Sequence, residues 1–257
     1  MGAGRVIGCR ETGELMRDTD NDWTNLGEFE PYFGVLSHER FLRHNLNEAG
    51  LAEFWQTGAN HMVGVRQILI DHFGGEFAPK TAIDFGCGVG RLTRAMAPMA
   101  DRVFGIDISG PMLEEARRNS PPENVEFRFD IPQDCLIDWI HSSIVFQHIP
   151  PARGYDLFGK LLDAASPKAM LSVHFMLFKD ALGVADQYHP NVEFSTWDGR
   201  ELKPLLRKDR AAGSMSMYDY DMNLLIAMMV RRGFSRYYMH HANHGGCHGV
   251  EIFARRD

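Results

Sequence analysis

Cysteine is scarce in this chain, a basic excess is missing and no long apolar run occurs; each shortage removes a class of protein. The four cysteines among 257 residues, Cys9, Cys87, Cys135 and Cys247, lie far apart and form no CxxC pair. That excludes a disulfide framework or a zinc ribbon and fits a reducing compartment. Net charge is −7 with histidine neutral, whereas a nucleic-acid partner is expected to leave a basic footprint. No window approaches the apolar length of a membrane span. The opening residues MGAGRVIGCRETGELMRD hold no signal-peptide core, and Val6 stands where a myristoylation signal wants Ser or Thr. The expectation is a cytoplasmic protein with neither nucleic-acid nor membrane partners.

What is present is an ordinary globular composition, 44% hydrophobic and 24% charged, in a chain long enough for one large domain with an appendage. Residues 1–35 are polar and Gly-rich and are expected to be loosely ordered. From Ser37 the pattern turns helical, with SHERFLRHNLNEAGLAEFW and ANHMVGVRQILIDHFGG as two amphipathic runs. Residues 1–78 are therefore expected to form an N-terminal segment and helices that cover a substrate, and residues 79–257 the main domain.

Within 79–257, short apolar runs alternate with helical ones, the pattern of a parallel sheet built from βαβ units. KTAIDFG, RVFGIDIS, VEFRFDI, IDWIHSSIVFQHI and KAMLSVHFML read as successive strands. GRLTRAMAPMA, GPMLEEARRNS and PARGYDLFGKLLDAAS read as the helices between them. Residues 178–216 have little periodicity, and a stretch that long inside an α/β domain is expected to be a lid or insertion. The chain closes with a helix, YDYDMNLLIAMMVRRGF, and two strands, SRYYMHHA and GVEIFARR.

Chemistry is concentrated first at DFGCGVGR, residues 84–91, where the ligand of an open parallel sheet is expected. A phosphate-cradling P-loop would place a lysine after its last glycine, and none follows. A dinucleotide fingerprint is GxGxxG; Gly86, Gly88 and Gly90 form GxGxG, a spacing that does not aim a helix at a pyrophosphate. Asp107 ends the second strand roughly twenty positions further on, where an acid can accept from two ribose hydroxyls. Asp130 ends the third strand, where a carboxylate can accept from an adenine amino group. A nucleoside without a pyrophosphate fits this set.

Residues 80–175 resemble the core of a class I S-adenosylmethionine-dependent methyltransferase of the small-molecule type. Its first motif, an acid followed by GxGxG, is matched by Asp84, Gly86, Gly88 and Gly90; its ribose acid by Asp107; its adenine acid by Asp130, with Ile131 as an apolar neighbour. The resemblance implies a Rossmann-like, doubly wound α/β sheet of seven strands with the last antiparallel. It implies S-adenosyl-L-methionine as cofactor, with Cys87, Ile108, Met112 and Phe146 as further candidate contacts. Glycines alone would only permit a tight turn, and Asp107 or Asp130 alone could be a helix cap.

The acceptor is expected to be a small molecule, methylated most simply on a hydroxyl oxygen of a sugar or natural product. A hydroxyl needs a base, and His148 in VFQHIP follows the fourth strand where such a base belongs; the bland reading is a capping or packing histidine. FQHIP also departs from the N/D-P-P-Y motif of methyltransferases acting on nucleobase or amide nitrogen. His240, His241, His244, Cys247 and His248 leave three readings open: a metal site, a polar rim of the acceptor pocket, or turn histidines. The expectation is no metal, because alternate strand residues face opposite ways. Tyr218 and Tyr220 are read as core or pocket residues, and His174 and His189 carry no assigned role. Two rivals remain, a non-catalytic S-adenosylmethionine- or metal-binding regulator and, against the missing GxGxxG, a nicotinamide-dependent oxidoreductase.

Overall fold

The computed structural model describes residues 19–74, 77–180, 193–197, 202–206 and 217–257. Nine strands form one sheet: β1 (Thr81–Phe85), β2 (Arg102–Ile106), β3 (Val125–Arg128), β4 (Ile137–Ser142), β5 (Ala165–Lys179), β6 (Glu193–Trp197), β7 (Leu202–Leu206), β8 (Arg236–His244) and β9 (Cys247–Arg255). The helices are α1 (Thr19–Phe29), α2 (Pro31–Val35), α3 (Glu48–Phe73), α4 (Arg91–Met96), α5 (Gly110–Arg118), α6 (Pro151–Asp163) and α7 (Met222–Val230). No helix among the described residues is long and apolar enough to cross a membrane.

Strands β3, β2, β1, β4 and β5 lie side by side and parallel. β9 pairs antiparallel with both β5 and β8. These seven strands are the sheet expected from the resemblance, with the last strand reversed. The β6–β7 hairpin is an addition from the insertion. It joins β5 at Lys179, beyond the carboxyl end of β4. The rest of 181–216, including His189, lies outside the described residues.

Alternation along each buried strand divides the core. Ala82, Val103 and Trp139 point to one face, where Met62, Val65 and Leu69 of α3 and Leu92 and Met96 of α4 meet them. Ile83, Phe104 and Ile140 point to the other, against Phe158 and Leu161 of α6 and Leu225 and Met229 of α7. Helices on both faces cover a sheet that water could not be allowed to reach from either side.

Three expectations are corrected. Residues 19–35 are not loose: α1 and α2 pack on α5 and on the glycine turn. Their glycines, which read as flexibility, serve close approach, because a Cβ on Gly27 would come within 2.7 Å of Ser109 Oγ and one on Gly34 within 2.8 Å of Leu26 Cδ2. The two N-terminal runs are not two helices from Ser37. α3 is one helix of 26 residues capped by Asn47, whose side chain accepts from the Gly50 amide. IDWIHSSIVFQHI is not one strand either; β4 stops at Ser142, Ile144 takes φ +60°, and Phe146–His148 form a single 3₁₀ turn.

Candidate active site

Asp84 sits one residue before the end of β1 and is only 2% exposed. Its Oδ2 accepts from the Thr93 hydroxyl at 2.6 Å. Burial pushes its carboxyl up to about 6, against the pull of Thr93 and of the Arg91 guanidinium. The chain then turns through Gly86, Gly88 and Gly90 with φ of +76°, +53° and +82°, conformations that cost an L side chain. At Gly86 the space is closed as well, since a Cβ would fall 2.3 Å from Val145 Cγ2. The left-handed Ile144 beside Val145 lines the same cleft, and strain of this kind gathers at working sites.

Asp107 follows β2, and its two oxygens are engaged by the turn amides. Gly88 N–H donates to Oδ2 at 2.8 Å and Ser109 N–H to Oδ1 at 2.9 Å. Burial raises this carboxyl, opposed by those amides and that of Ile108. Each oxygen keeps a further lone pair, and the residue faces a cavity of about 820 Å³ that runs across the carboxyl ends of the strands.

Cys87, Ile108 and Met112 also line this cavity. Gly90 does not; its positive φ starts α4. Asp130 is exposed and, like the half-buried Ile131, stands off the cavity wall, where Phe129 appears instead, 53% exposed. Phe146 is likewise not on the wall: it is fully buried in the core, packed between Phe85 and Phe175, while its neighbours Val145 and Gln147 face the cavity. Asp130 and Phe146 were placed by the family resemblance, and both lie beyond the strands that were expected to carry them, since β3 ends at Arg128 and β4 at Ser142.

His148 reaches the cavity, 8% exposed. Its ring meets Trp23 of α1 edge-on at 4.9 Å, and its Nε2 lies 3.2 Å from the Gln147 amide nitrogen. α1 is tied down over it by Arg153, which donates to Asp20 at 2.6 Å, and by Ser109 Oγ donating to the Trp23 carbonyl. The histidine-rich turn divides. His244 and Cys247 line the cavity. His241 and His248 face another way, with His241 Nε2 3.0 Å from His248 Nδ1 and His248 Nε2 3.2 Å from Asp180, and His240 sits near Glu251. No group of three His, Cys, Asp or Glu side chains among the described residues converges as a metal site. His174 is buried behind His244, and burial, with His244 and His148 nearby, pushes it down to about 3. Tyr220 belongs to the core, its hydroxyl donating to the Ile149 carbonyl; Tyr218 packs against that core and is off the wall.

Sequence reasoning missed Arg91, Trp23, Gln147 and Met176, all on the cavity wall. Arg91 had a signal, since it follows the third glycine directly. Its guanidinium bonds Thr57 Oγ1, while its Nε is buried without a partner. Trp23 had none, because only packing brings α1 there.

The arrangement of strands and glycine turn is that of the Rossmann-like methyltransferase fold. The chain aligns with magnesium protoporphyrin IX methyltransferase from Synechocystis PCC 6803, solved with bound S-adenosylmethionine, at TM-score 0.53 and 16% identity over 95% of this chain and 99% of that one. It aligns with the N-methyltransferase NodS from Bradyrhizobium japonicum WM9, in complex with S-adenosylhomocysteine, at TM-score 0.52 and 12% identity, covering 91% and 98%. Residues 82–168 match the family model of a methyltransferase domain. Among curated proteins it is similar to ribosomal protein L11 methyltransferase of Alteromonas mediterranea, 30% identical over 129 residues. A Vibrio vulnificus counterpart is 31% identical over 131 residues. The chain spans less than half the length of these relatives, 44% of each.

Proposed function

We propose that this protein transfers a methyl group from S-adenosylmethionine to a hydroxyl oxygen of a small-molecule acceptor, with His148 as the base. The observation that carries the reading is one continuous cavity holding Asp84, Arg91 and Asp107 at its β1–β2 end and His148 at its β4–β5 end. The residues present fit the cofactor. Two carboxylates and one guanidinium face a ligand that bears a sulfonium, an ammonium and a carboxylate, so formal charges balance. Arg91, with its unpartnered buried Nε, suits the carboxylate. Asp107 retains lone pairs for the ribose hydroxyls, and Phe129, Ile108 and Met112 supply apolar cover for a base. Asp130 and Ile131 are not needed for this, nor is Phe146.

S-adenosylmethionine supplies, when bound, a methyl group already activated by its sulfonium. The protein's work is then to hold the acceptor oxygen in line, take its proton and keep water out. His148 accepts the hydroxyl proton as the oxygen is alkylated. α1 and α2 serve as the cover, and such closure excludes water from the reacting atoms; the lid expected around 178–216 falls mostly outside the described residues. The activity named for the sequence relatives, on ribosomal protein L11, would require a protein side chain to enter beneath that cover. Placement of the protein in the cytoplasm belongs to this reading.

Thermal unfolding with S-adenosylmethionine, S-adenosylhomocysteine and reduced nicotinamide cofactors tests it. Ligand at about a hundred times its Kd stabilises by roughly 2.7 kcal/mol, a rise of about 5–10 °C for a chain of this size. A rise with the two adenosyl compounds alone is expected. A rise with the nicotinamides, or with nothing, overturns the assignment.

A further inference from the structure

The two ends of the cavity differ in charge. At the β4–β5 end the described residues on the cavity wall carry one charged pair, neutralised internally by Arg153 donating to Asp20; a second pair, Lys179 donating to Asp219, is buried off the wall. The other titratable groups there are the imidazoles of His148 and His244 and the thiol of Cys247, which hold no fixed charge.

The apolar surface at this end is also distinct in kind. Met176, Met217 and Cys247 form a cluster apart from the main cores, 1%, 4% and 3% exposed, and all three face the cavity. They come from β5, from the stretch before α7 and from the start of β9, so three separate segments converge to place sulfur there. From the cover, α1 contributes the indole of Trp23, seated edge-on against His148. Thioether sulfur packs favourably against aromatic rings, and an indole offers a flat π surface.

We infer that the β4–β5 end is a slot for an uncharged aromatic acceptor of the phenol class, whose ring lies between Trp23 and the Met176–Met217–Cys247 floor with its oxygen at His148. The inference rests on the methyltransferase reading above and names its acceptor class. A carboxylate or an ammonium in the slot would meet no unpaired countercharge among the described residues, because Asp20 already holds Arg153 and Asp219 holds Lys179, and unpaired buried charge is strongly disfavoured. A saturated ring would fill the space but forgo the contacts of sulfur and indole with a π system.

Calorimetric titration of the full chain saturated with S-adenosylhomocysteine tests this with four probes of one shape: 2-naphthol, 2-naphthoate, 2-naphthylmethylammonium and decahydro-2-naphthol. The expected result is that 2-naphthol binds at least tenfold more tightly than each of the others. Met217→Leu, which keeps the volume and removes the sulfur, should cut the preference over decahydro-2-naphthol to about threefold or less. The inference is overturned if either charged probe matches 2-naphthol, if decahydro-2-naphthol binds equally well, or if 2-naphthol does not bind. Failure of S-adenosylhomocysteine itself to bind is a separate outcome; it removes the methyltransferase reading and the acceptor slot with it.

Discussion

The β1–β2 end of the cavity and the β4–β5 end are built on opposite plans. The first is made from two short continuous stretches, Asp84–Arg91 and Asp107–Met112, where the Gly88 and Ser109 amides hold the Asp107 carboxylate. The second gathers Trp23, His148, Arg153, Met176, Met217 and His244 from five separate segments. A site made of contiguous backbone is rigid and serves an unvarying ligand. A site made of scattered side chains can be changed one residue at a time, as an acceptor pocket on a widely used scaffold must be.

Breaking each end separately sharpens that contrast. The largest effect is expected from His148→Ala, which should lower turnover by about 10²- to 10⁴-fold, the usual worth of a positioned base. Cofactor affinity, measured by calorimetry, should stay within about twofold. Gly86→Ala should act on the fold instead. Its Cβ meets Val145 at a φ of +76°, and overpacking with a left-handed penalty costs about 2–4 kcal/mol. Thermal unfolding should read this as a fall in Tm of roughly 5–15 °C; an unchanged Tm would mean that the turn tolerates a side chain.

Asp107→Asn comes next. It removes a charged acceptor from the turn amides and from the ribose, and cofactor Kd should rise about ten- to a hundredfold, in line with roughly 1.5–3 kcal/mol for a charged hydrogen bond. Equal affinity for cofactor in wild type and variant would place the ribose elsewhere.

The smallest effect concerns pH. Burial lowers His61 to about 4, His174 to about 3 and His141 well below its usual range. As pH falls below about 6.5 the unfolded chain takes up protons at these rings that the folded chain refuses, so stability is lost on acidification. Asp84 works the other way. Its folded carboxyl titrates near 6, above the ordinary value, so its contribution is fully present below about pH 4 and lost as pH rises through 6. Asp84→Asn should therefore steepen the acid loss between pH 6 and 4 by on the order of 1–3 kcal/mol, read as urea midpoints across that range. A flatter profile in the variant would contradict the burial argument.

Legibility in the sequence followed the same division. The succession of strands and helices and the positions of Asp84, Gly86, Gly88 and Asp107 about the strand ends could be read directly, because each depends on periodicity or on a backbone conformation that only certain residues adopt; the reversed last strand came only with the family resemblance. Asp130 and Phe146, assigned through the family resemblance, stand off the cavity wall because β3 and β4 end before them, and composition does not mark where pairing stops. Gly27 and Gly34 read as slack chain because the surfaces they admit, Ser109 and Leu26, lie on other helices or another turn. Arg91 was within reach, being adjacent to the third glycine; Met176 looked like any core residue of β5.

By itself, then, the sequence determined what neighbours along the chain can enforce: an α/β sheet, a tight glycine turn after its first strand, and two acids at the ends of adjacent strands. Only the tertiary structure decided that α1 lies over His148, that Trp23 and three sulfur side chains share one end of the cavity, and that Arg153 is matched by Asp20. The reason is physical. Backbone strain and strand alternation act over a few residues and leave a local trace, whereas packing acts through space between segments that carry no mark of one another.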